Sequence, residues 1–324
     1  MILETDIWAD PSVTGKSVAD KPVAAKPGPA KSGDRAIRPE ASGHSRLRPI
    51  EGRHNALVKE LRRAFADGAL TPEGDCAIEG VRMIEEAVRS GLKFRAIFFR
   101  NSASNVSARL LPQMAATVET LLLPDKLFDS LVPSETPQGV AAMVRCRQFV
   151  FEDVLTRASI EPLLAVAGVQ DPGNLGTILR SAEAFGVGGV LLGEGTAGAF
   201  NSKVIRASAG SVFRLPAARV KLADALPRMR EKGLRLVATS SHKSKPLGEV
   251  DLSGPLTVFI GSEGAGVPQA LLAQMDEVVA IPHSSSVESL NAGVAASIVL
   301  YEVARQRKMQ SAREALRRGE NAGA

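Results

Sequence analysis

From residue 162 onward the chain repeats one unit, a short and wholly apolar run followed by a stretch with helical spacing. The runs Leu163–Val169, Gly189–Leu192, Leu234–Thr239, Leu256–Ile260 and Val278–Ile281 lack the polar alternation of a half-exposed strand. Strands of that kind need cover on both faces, which the intervening helical stretches supply. The last helix is striped by Leu290, Val294, Ile298 and Tyr301 at spacings of three and four. This half of the chain is therefore confined to an α/β fold with a mostly parallel sheet. In such sheets ligands collect at the carboxyl ends of the strands, and here those ends are polar and glycine-rich.

The first half reads as a smaller α/β unit. Leu57, Leu61 and Phe65 follow a possible cap at Asn55, and Val81, Ile84 and Val88 form a second helical stripe stopped by Gly91. Strand-like runs lie at Ala96–Phe99, Val118–Leu123 and Gly139–Val144. Before it, prolines, glycines, alanines and Lys16, Lys21, Lys26 and Lys31 alternate without an apolar period, so nothing can be buried to offset ordering entropy. The expected organisation is a disordered basic tail over 1–46, a small α/β domain over 47–148, a larger α/β domain over 149–310 and a flexible tail over 311–324. The stretch 149–161 is the expected boundary.

Composition narrows the function classes. No apolar run reaches the ~18–20 residues that span a bilayer. The acidic start, with Glu4, Asp6 and Asp10, does not suit a secretory signal. Cys76 and Cys146, the two cysteines present, cannot build a disulfide framework or a cysteine-rich zinc site. A cytoplasmic protein is expected. Lys and Arg total 40 against 35 Asp and Glu, a net +5 compatible with a polyanionic partner. Aromatics are 4 % of residues, too few for recognition by base stacking.

Four strand-end loops are candidates for chemistry. Gly193–Gly198 satisfies G-x-G-x-x-G, but no acidic ribose partner stands about 20 residues on, and the next strand signal ends in Arg214-Leu215-Pro216. It reads as a plain loop. The others are Gln170–Ala182, containing Asn174 and Arg180; Phe259–Pro268, containing Gly261 and Glu263; and Ile281–Asn291. Asn174 alone could be a helix cap, Arg180 a surface cation, and either Ser289 or Asn291 the cap of the last helix. Three glycines in the second loop allow close backbone approach to a ligand. With a single carboxylate and no lysine, it is no Walker-type phosphate cradle.

Taken in order, these three loops resemble the three motifs of the SpoU (TrmH-like) RNA ribose 2′-O-methyltransferases, of the SPOUT class of α/β-knot enzymes. The resemblance covers Leu163 to Arg307, and Asn201–Gly210 is similar to the family's segment between its first two motifs. More loosely, Glu79-Gly80 and Thr136–Val140 make residues 50–145 resemble the family's small RNA-binding domain, related to ribosomal RNA-binding proteins.

The resemblance implies a deep trefoil knot near the C-terminus, S-adenosylmethionine as cofactor without a metal, a homodimer formed through the larger domain, and an RNA substrate, ribosomal RNA ahead of transfer RNA. It places cofactor binding at Thr239, Ser240, Gly261, Ile281 and Leu290. The catalytic arginine maps onto Arg180, supported by Asn174, Glu263, Ser289 and Asn291. The family scheme makes that arginine a general base. The strong basicity of a guanidinium, which leaves little neutral guanidine to accept a proton, argues instead for a clamp on phosphate and developing alkoxide, held by Glu263 and Asn174. The competing readings are a non-catalytic RNA-binding protein on the same scaffold and a nucleotide-dependent dehydrogenase. His283, Ser284-Ser285 and Ala292-Gly293 depart from the common family pattern around these positions without replacing them. A titrating His283 is a further alternative base.

Overall fold

In the computed structural model, residues 46–240, 244–284, 286–287 and 289–321 are described. The expected tail over 1–46 lies outside them apart from Arg46. Among the described residues, Arg46 onward forms a single compact unit carrying two sheets.

The first sheet holds β1 (Arg48–Pro49), β2 (Asp75–Glu79), β3 (Lys93–Arg100), β4 (Glu119–Leu123) and β5 (Val140–Arg145), in the order β1-β4-β3-β5-β2. β1 and β3 flank β4 in parallel, while β5 runs antiparallel to both β3 and β2. Its first helix, α1 (Ala56–Asp67), is capped by Asn55, whose side chain accepts from Leu57 N at 2.9 Å. α2 (Val81–Arg89) follows Gly80, and α3 (Ser104–Leu110) and α4 (Asp125–Asp129) join the later strands. Sequence patterning misses β2 because Asp75 and Glu79 bound it. Asp75 is wholly buried, and Arg145 at 2.6 Å and Arg95 at 3.1 Å compensate its charge. Cys76 and Cys146 are buried free thiols with their Sγ atoms 3.0 Å apart.

The chain then passes through α5 (Phe151–Leu155), within the expected boundary. Val154, Leu155 and Ala158 are buried against the second sheet, so this stretch is no bare linker. The second sheet holds β6 (Leu163–Ala167), β7 (Gly189–Leu192), β8 (Ala217–Arg219), β9 (Arg235–Thr239), β10 (Lys245–Pro246), β11 (Leu256–Gly261) and β12 (Glu277–Ala280). Its order is β10-β12-β9-β11-β6-β7-β8, and every pairing is parallel. The strand signal expected to end at Pro216 is a 3-10 turn over Ser211–Phe213, and the edge strand begins just after it. β11 lies between β6 and β9, so the carboxyl ends of β6, β9, β11 and β12 stand side by side.

Four α-helices matter for that edge. α6 (Pro172–Ala184) is capped by Asp171, which accepts from Asn174 N at 2.8 Å, and has proline at its first position. Asp171 is thus the cap, and the Asn174 side chain is free for other work. α7 (Ser202–Ala207) crosses α6 so closely that a Cβ on Gly176 would lie 2.4 Å from Ala207 Cβ. α8 (Leu222–Glu231) and α10 (Ala292–Asn321) complete the cover, with the short α9 (Gln269–Leu272) beside them. Ser181 and Ser297 pair their hydroxyls at 2.7 Å between α6 and α10, and Gly293 faces Thr177 where a Cβ would meet it at 3.0 Å.

α10 continues through 311–321, where a flexible tail is expected. The stretch Ala312–Leu316, with one arginine and one glutamate between alanines and a leucine, has high helix propensity and needs no tertiary contact to prolong a helix already begun. The buried face of α10 is Ala296, Val299, Leu300 and Val303, whereas Val294, Ile298 and Tyr301 are 47 %, 37 % and 47 % exposed. Of the basic residues at this end, Arg305 is held by Glu302 and Arg307 by the carbonyls of Ile160, Ser253 and Gly254. One apolar core runs across both sheets, including Ile78 and Ile84 of the first with Leu164 and Val166 of the second. Among the described residues no helix is long and apolar enough to cross a membrane.

Candidate active site

The apposed strand ends surround a cleft of about 570 Å³. β9 contributes Thr239 and Ser240, β11 ends at Gly261 in its floor, and the loop after β12 brings Ile281, His283, Ser289 and Leu290. All five residues expected to bind cofactor therefore line one cavity, together with Glu263 and Ser289 of the expected catalytic set. Thr239 Oγ1 donates to Phe259 O at 3.3 Å and Ser240 N to Val279 O at 2.9 Å, fixing the end of β9 between its neighbours.

Gly261 has a demand that only glycine meets. The loop 262–266 folds back through a two-way bridge, Ser262 N to Gly266 O at 3.2 Å and Gly266 N to Ser262 O at 2.9 Å. A Cβ at Gly261 would lie 1.9 Å from the Gly266 carbonyl carbon. The constraint is space, with Gly266 supplying the left-handed turn at φ 64°.

Beside the cleft, three side chains from three loops meet. Asn174 donates to Glu263 Oε1 through Nδ2. Asn291 Nδ2 donates to Asn174 Oδ1 at 2.9 Å and to Glu263 Oε1 at 3.1 Å. Asn291 Oδ1 simultaneously accepts from Gly293 N at 3.0 Å and Val294 N at 3.2 Å, which makes Asn291 and not Ser289 the cap of α10. A carboxylate receiving two amide donors on one oxygen orients both.

Arg180 does not join this trio. Six residues beyond Asn174 on α6, it is ~9 Å further along the axis at 1.5 Å per residue. It is exposed and makes no hydrogen bond or ion pair with any described residue. The expectation that Glu263 and Asn174 hold Arg180 is thus corrected within one chain, because those side chains hold each other and the cap of α10. Ser289 lines the cleft and also stays outside the trio. His283 is exposed, with Nδ1 2.7 Å from Ile281 O.

Gly193–Gly198 is a structural loop. Thr196 Oγ1 accepts from Gly168 N at 3.1 Å and donates to Val166 O at 3.0 Å, and Arg219 clamps Thr196 O at 3.1 Å. No helix opens directly from it, and a Cβ on Gly193 would strike Leu222 at 2.5 Å.

The cleft suits S-adenosylmethionine on the chemistry of its lining. Val267, Leu272, Ile281 and Leu290 offer apolar walls to a flat heterocycle, and the hydroxyls of Thr239, Ser240 and Ser262 suit a ribose. Its volume falls within the ~300–1,000 Å³ usual for ligand pockets. No cluster of three or more metal-ligating side chains occurs among the described residues.

Comparisons with known proteins agree with this geometry. The SpoU rRNA Methylase family model matches residues 161–301, and the MRM3-like substrate binding domain matches residues 55–142. The 23S rRNA (guanosine(2553)-2'-O)-methyltransferase RlmP of Bacillus subtilis is 32 % identical over 257 residues, covering 79 % of this chain and 99 % of that protein. Crystal structures tell the same story. The SpoU methyltransferase AviRb of Streptomyces viridochromogenes, solved with AdoMet, superposes with a TM-score of 0.68 at 29 % identity, over 78 % of this chain and 98 % of that one. An AdoMet-bound rRNA methyltransferase from Sinorhizobium meliloti gives 0.67 at 27 % identity, over 80 % and 98 %. The chain belongs to the SpoU rRNA methylase family.

Proposed function

We propose that this chain is an S-adenosylmethionine-dependent methyltransferase acting on a ribose 2′-hydroxyl of RNA, ribosomal RNA ahead of transfer RNA. The observation that carries the proposal is the Asn174–Glu263–Asn291 trio, which ties three distant loops together at the mouth of the cleft. Thr239, Ser240, Gly261, Ile281 and Leu290 would hold the cofactor, Glu263 and Ser289 line the same cleft, and Asn291 is bonded to Glu263 beside it. When bound, S-adenosylmethionine supplies a methyl group already activated on a sulfonium. The protein's remaining tasks are to orient the hydroxyl and to stabilise the negative charge that develops on its oxygen.

Arg180 is assigned to that second task. Exposed and without a partner among the described residues, its planar fork can engage a phosphate and the nascent alkoxide together, whereas a proton-accepting role would need a neutral guanidine that is scarce at pH 7. A second copy of the chain is assigned to the exposed stripe of Val294, Ile298 and Tyr301, because burial within the chain falls on the opposite face of α10. The insertion of β11 between β6 and β9, with α10 returning onto α6, supports the trefoil knot of the family. Residues 47–148 are read as the RNA-binding domain, 149–310 as the methyltransferase domain, and the cytoplasm as the site of action.

Mass-spectrometric mapping of 2′-O-methyl groups in RNA from cells with and without this gene tests the proposal. Loss of one ribosomal 2′-O-methyl site on deletion is expected. An unchanged ribosomal map with a lost transfer-RNA site would move the substrate, and an unchanged map in all RNA would overturn the activity.

A further inference from the structure

One short segment of the larger sheet's connections grips the first sheet at several points. Asn201, which caps α7, packs on Gly68 at the end of α1, and its Nδ2 would lie 3.0 Å from a Cβ there. Arg206 donates to Ser134 Oγ at 2.8 Å, and Ser134 in turn donates to Glu79 Oε2 at 2.8 Å. Gly210, at φ 85°, approaches Glu86 so closely that a Cβ would stand 2.2 Å from its Cγ.

Arg214 closes the row. Its Nε and Nη2 engage both oxygens of Glu183 on α6 at 2.5 and 2.8 Å, while Nη1 reaches Glu86 Oε1 at 2.5 Å and Ser90 Oγ at 2.9 Å on α2. Burial pushes the Glu86 carboxyl up, but hydrogen bonds from Arg89 and Arg214 outweigh it and leave it below the usual range. Glu183 shows the same balance under Arg214 and Ser211. A guanidinium spends all three nitrogens here on two helices, one from each sheet, and α6 is the helix that carries Asn174 and Arg180.

The geometry points to Arg214 as a positioning residue that locks the substrate-binding sheet in register with the catalytic helix α6. This rests on the functional reading above. RNA gripped by the first sheet then meets Asn174 and Arg180 at a fixed span, so the second contact is effectively intramolecular. Loosening the clasp lowers that effective concentration. It leaves the fully bound complex unchanged, and the cleft too, since neither Arg214 nor Glu86 lines it.

The test uses Glu86→Ala, which removes the charged arm across the sheets and leaves Arg214 with Glu183 and the Ser90 hydroxyl, with Glu86→Gln as the variant that keeps an acceptor for Arg214. The methyl acceptor is total ribosomal RNA from cells lacking the gene. In Glu86→Ala, KM for RNA rises about three- to tenfold, the net worth of one ordinary intramolecular hydrogen bond. In the same variant kcat and the dissociation constant for S-adenosylmethionine stay within twofold, and amide exchange accelerates in 81–90 and 208–214. Glu86→Gln recovers at least half of the KM effect. Unchanged KM, or kcat and cofactor affinity falling in parallel with KM, overturns the positioning role. If the wild-type chain transfers no methyl group to this RNA, the functional reading fails. Hydrogen exchange then decides the clasp: wild-type rates at 208–214 in Glu86→Ala refute it, and selective acceleration there upholds it.

Discussion

Gly261→Ala is the smallest change that the site should not accommodate. The added carbon would lie 1.9 Å from Gly266 C, 2.1 Å from Val267 N and 2.2 Å from Gly266 O, all backbone atoms with no rotamer to escape into. Carbon contacts settle near ~3.5 Å, so the loop must retreat by ~1.5 Å. That retreat breaks the Ser262–Gly266 bridge, two backbone hydrogen bonds of 3.2 and 2.9 Å worth ~1 kcal/mol each in net terms. Overpacking adds ~1–3 kcal/mol. A total near ~4 kcal/mol lowers Tm by roughly 10 °C for a chain of this size. The moved loop also carries Glu263 and part of the cleft wall. Scanning calorimetry should show the drop, and titration with S-adenosylmethionine should show at least a tenfold loss of affinity. A Gly261→Ala protein with wild-type Tm and wild-type affinity would refute the argument that this backbone contact shapes the cofactor site.

Other perturbations probe other parts of the molecule. Arg180→Lys keeps the charge and loses the fork, so turnover should fall at least tenfold while Tm moves by less than ~0.5 kcal/mol equivalent, because the side chain is exposed; full turnover would remove the clamp role. Ile298→Asp places a charge in the stripe of α10 proposed as the dimer interface, and light scattering should report a dimer for the wild type and half that mass for the variant, whereas equal masses would contradict the proposed interface. Burial raises the Glu79 carboxyl pKa against opposing contributions from Ser134 and Arg206. Its ionised form is therefore a cost to folding, so stability falls as pH rises from the ordinary carboxylate range through the raised value. Glu79→Gln should flatten that slope in a Tm series from pH 4 to 7, and an equally steep slope in the variant would show that another group causes it.

The parallel sheet was legible because Leu163–Val169 and Leu256–Ile260 are apolar throughout, and only a doubly covered strand has that composition. β2 was not legible, since Asp75 and Glu79 look like surface residues until Arg95, Arg145 and Ser134 arrive from other strands and loops. β8 and β10 are edge pieces of three and two residues, too short for any period to register. The catalytic positions emerged only through resemblance, because Asn174, Glu263 and Asn291 are separated by 89 and 28 residues and no spacing rule joins them. Arg180 shows the limit of that inference. Motif matching put it beside Glu263, whereas helix geometry sets it further along α6, facing solvent. The Arg214 clasp left no local signal at all, because its partners Glu86 and Glu183 lie 128 and 31 residues away.

The central claim is that three strand-end loops converge to methylate a ribose. The direct test incubates the purified chain with methyl-labelled S-adenosylmethionine and ribosomal RNA from cells lacking the gene, then hydrolyses the product in alkali. The account predicts label retained in one alkali-resistant dinucleotide and reduced about a hundredfold in Glu263→Ala, which leaves the Asn174 and Asn291 amides without their shared acceptor. Label released in mononucleotides, as base methylation would give, or label at wild-type level in Glu263→Ala, would contradict it.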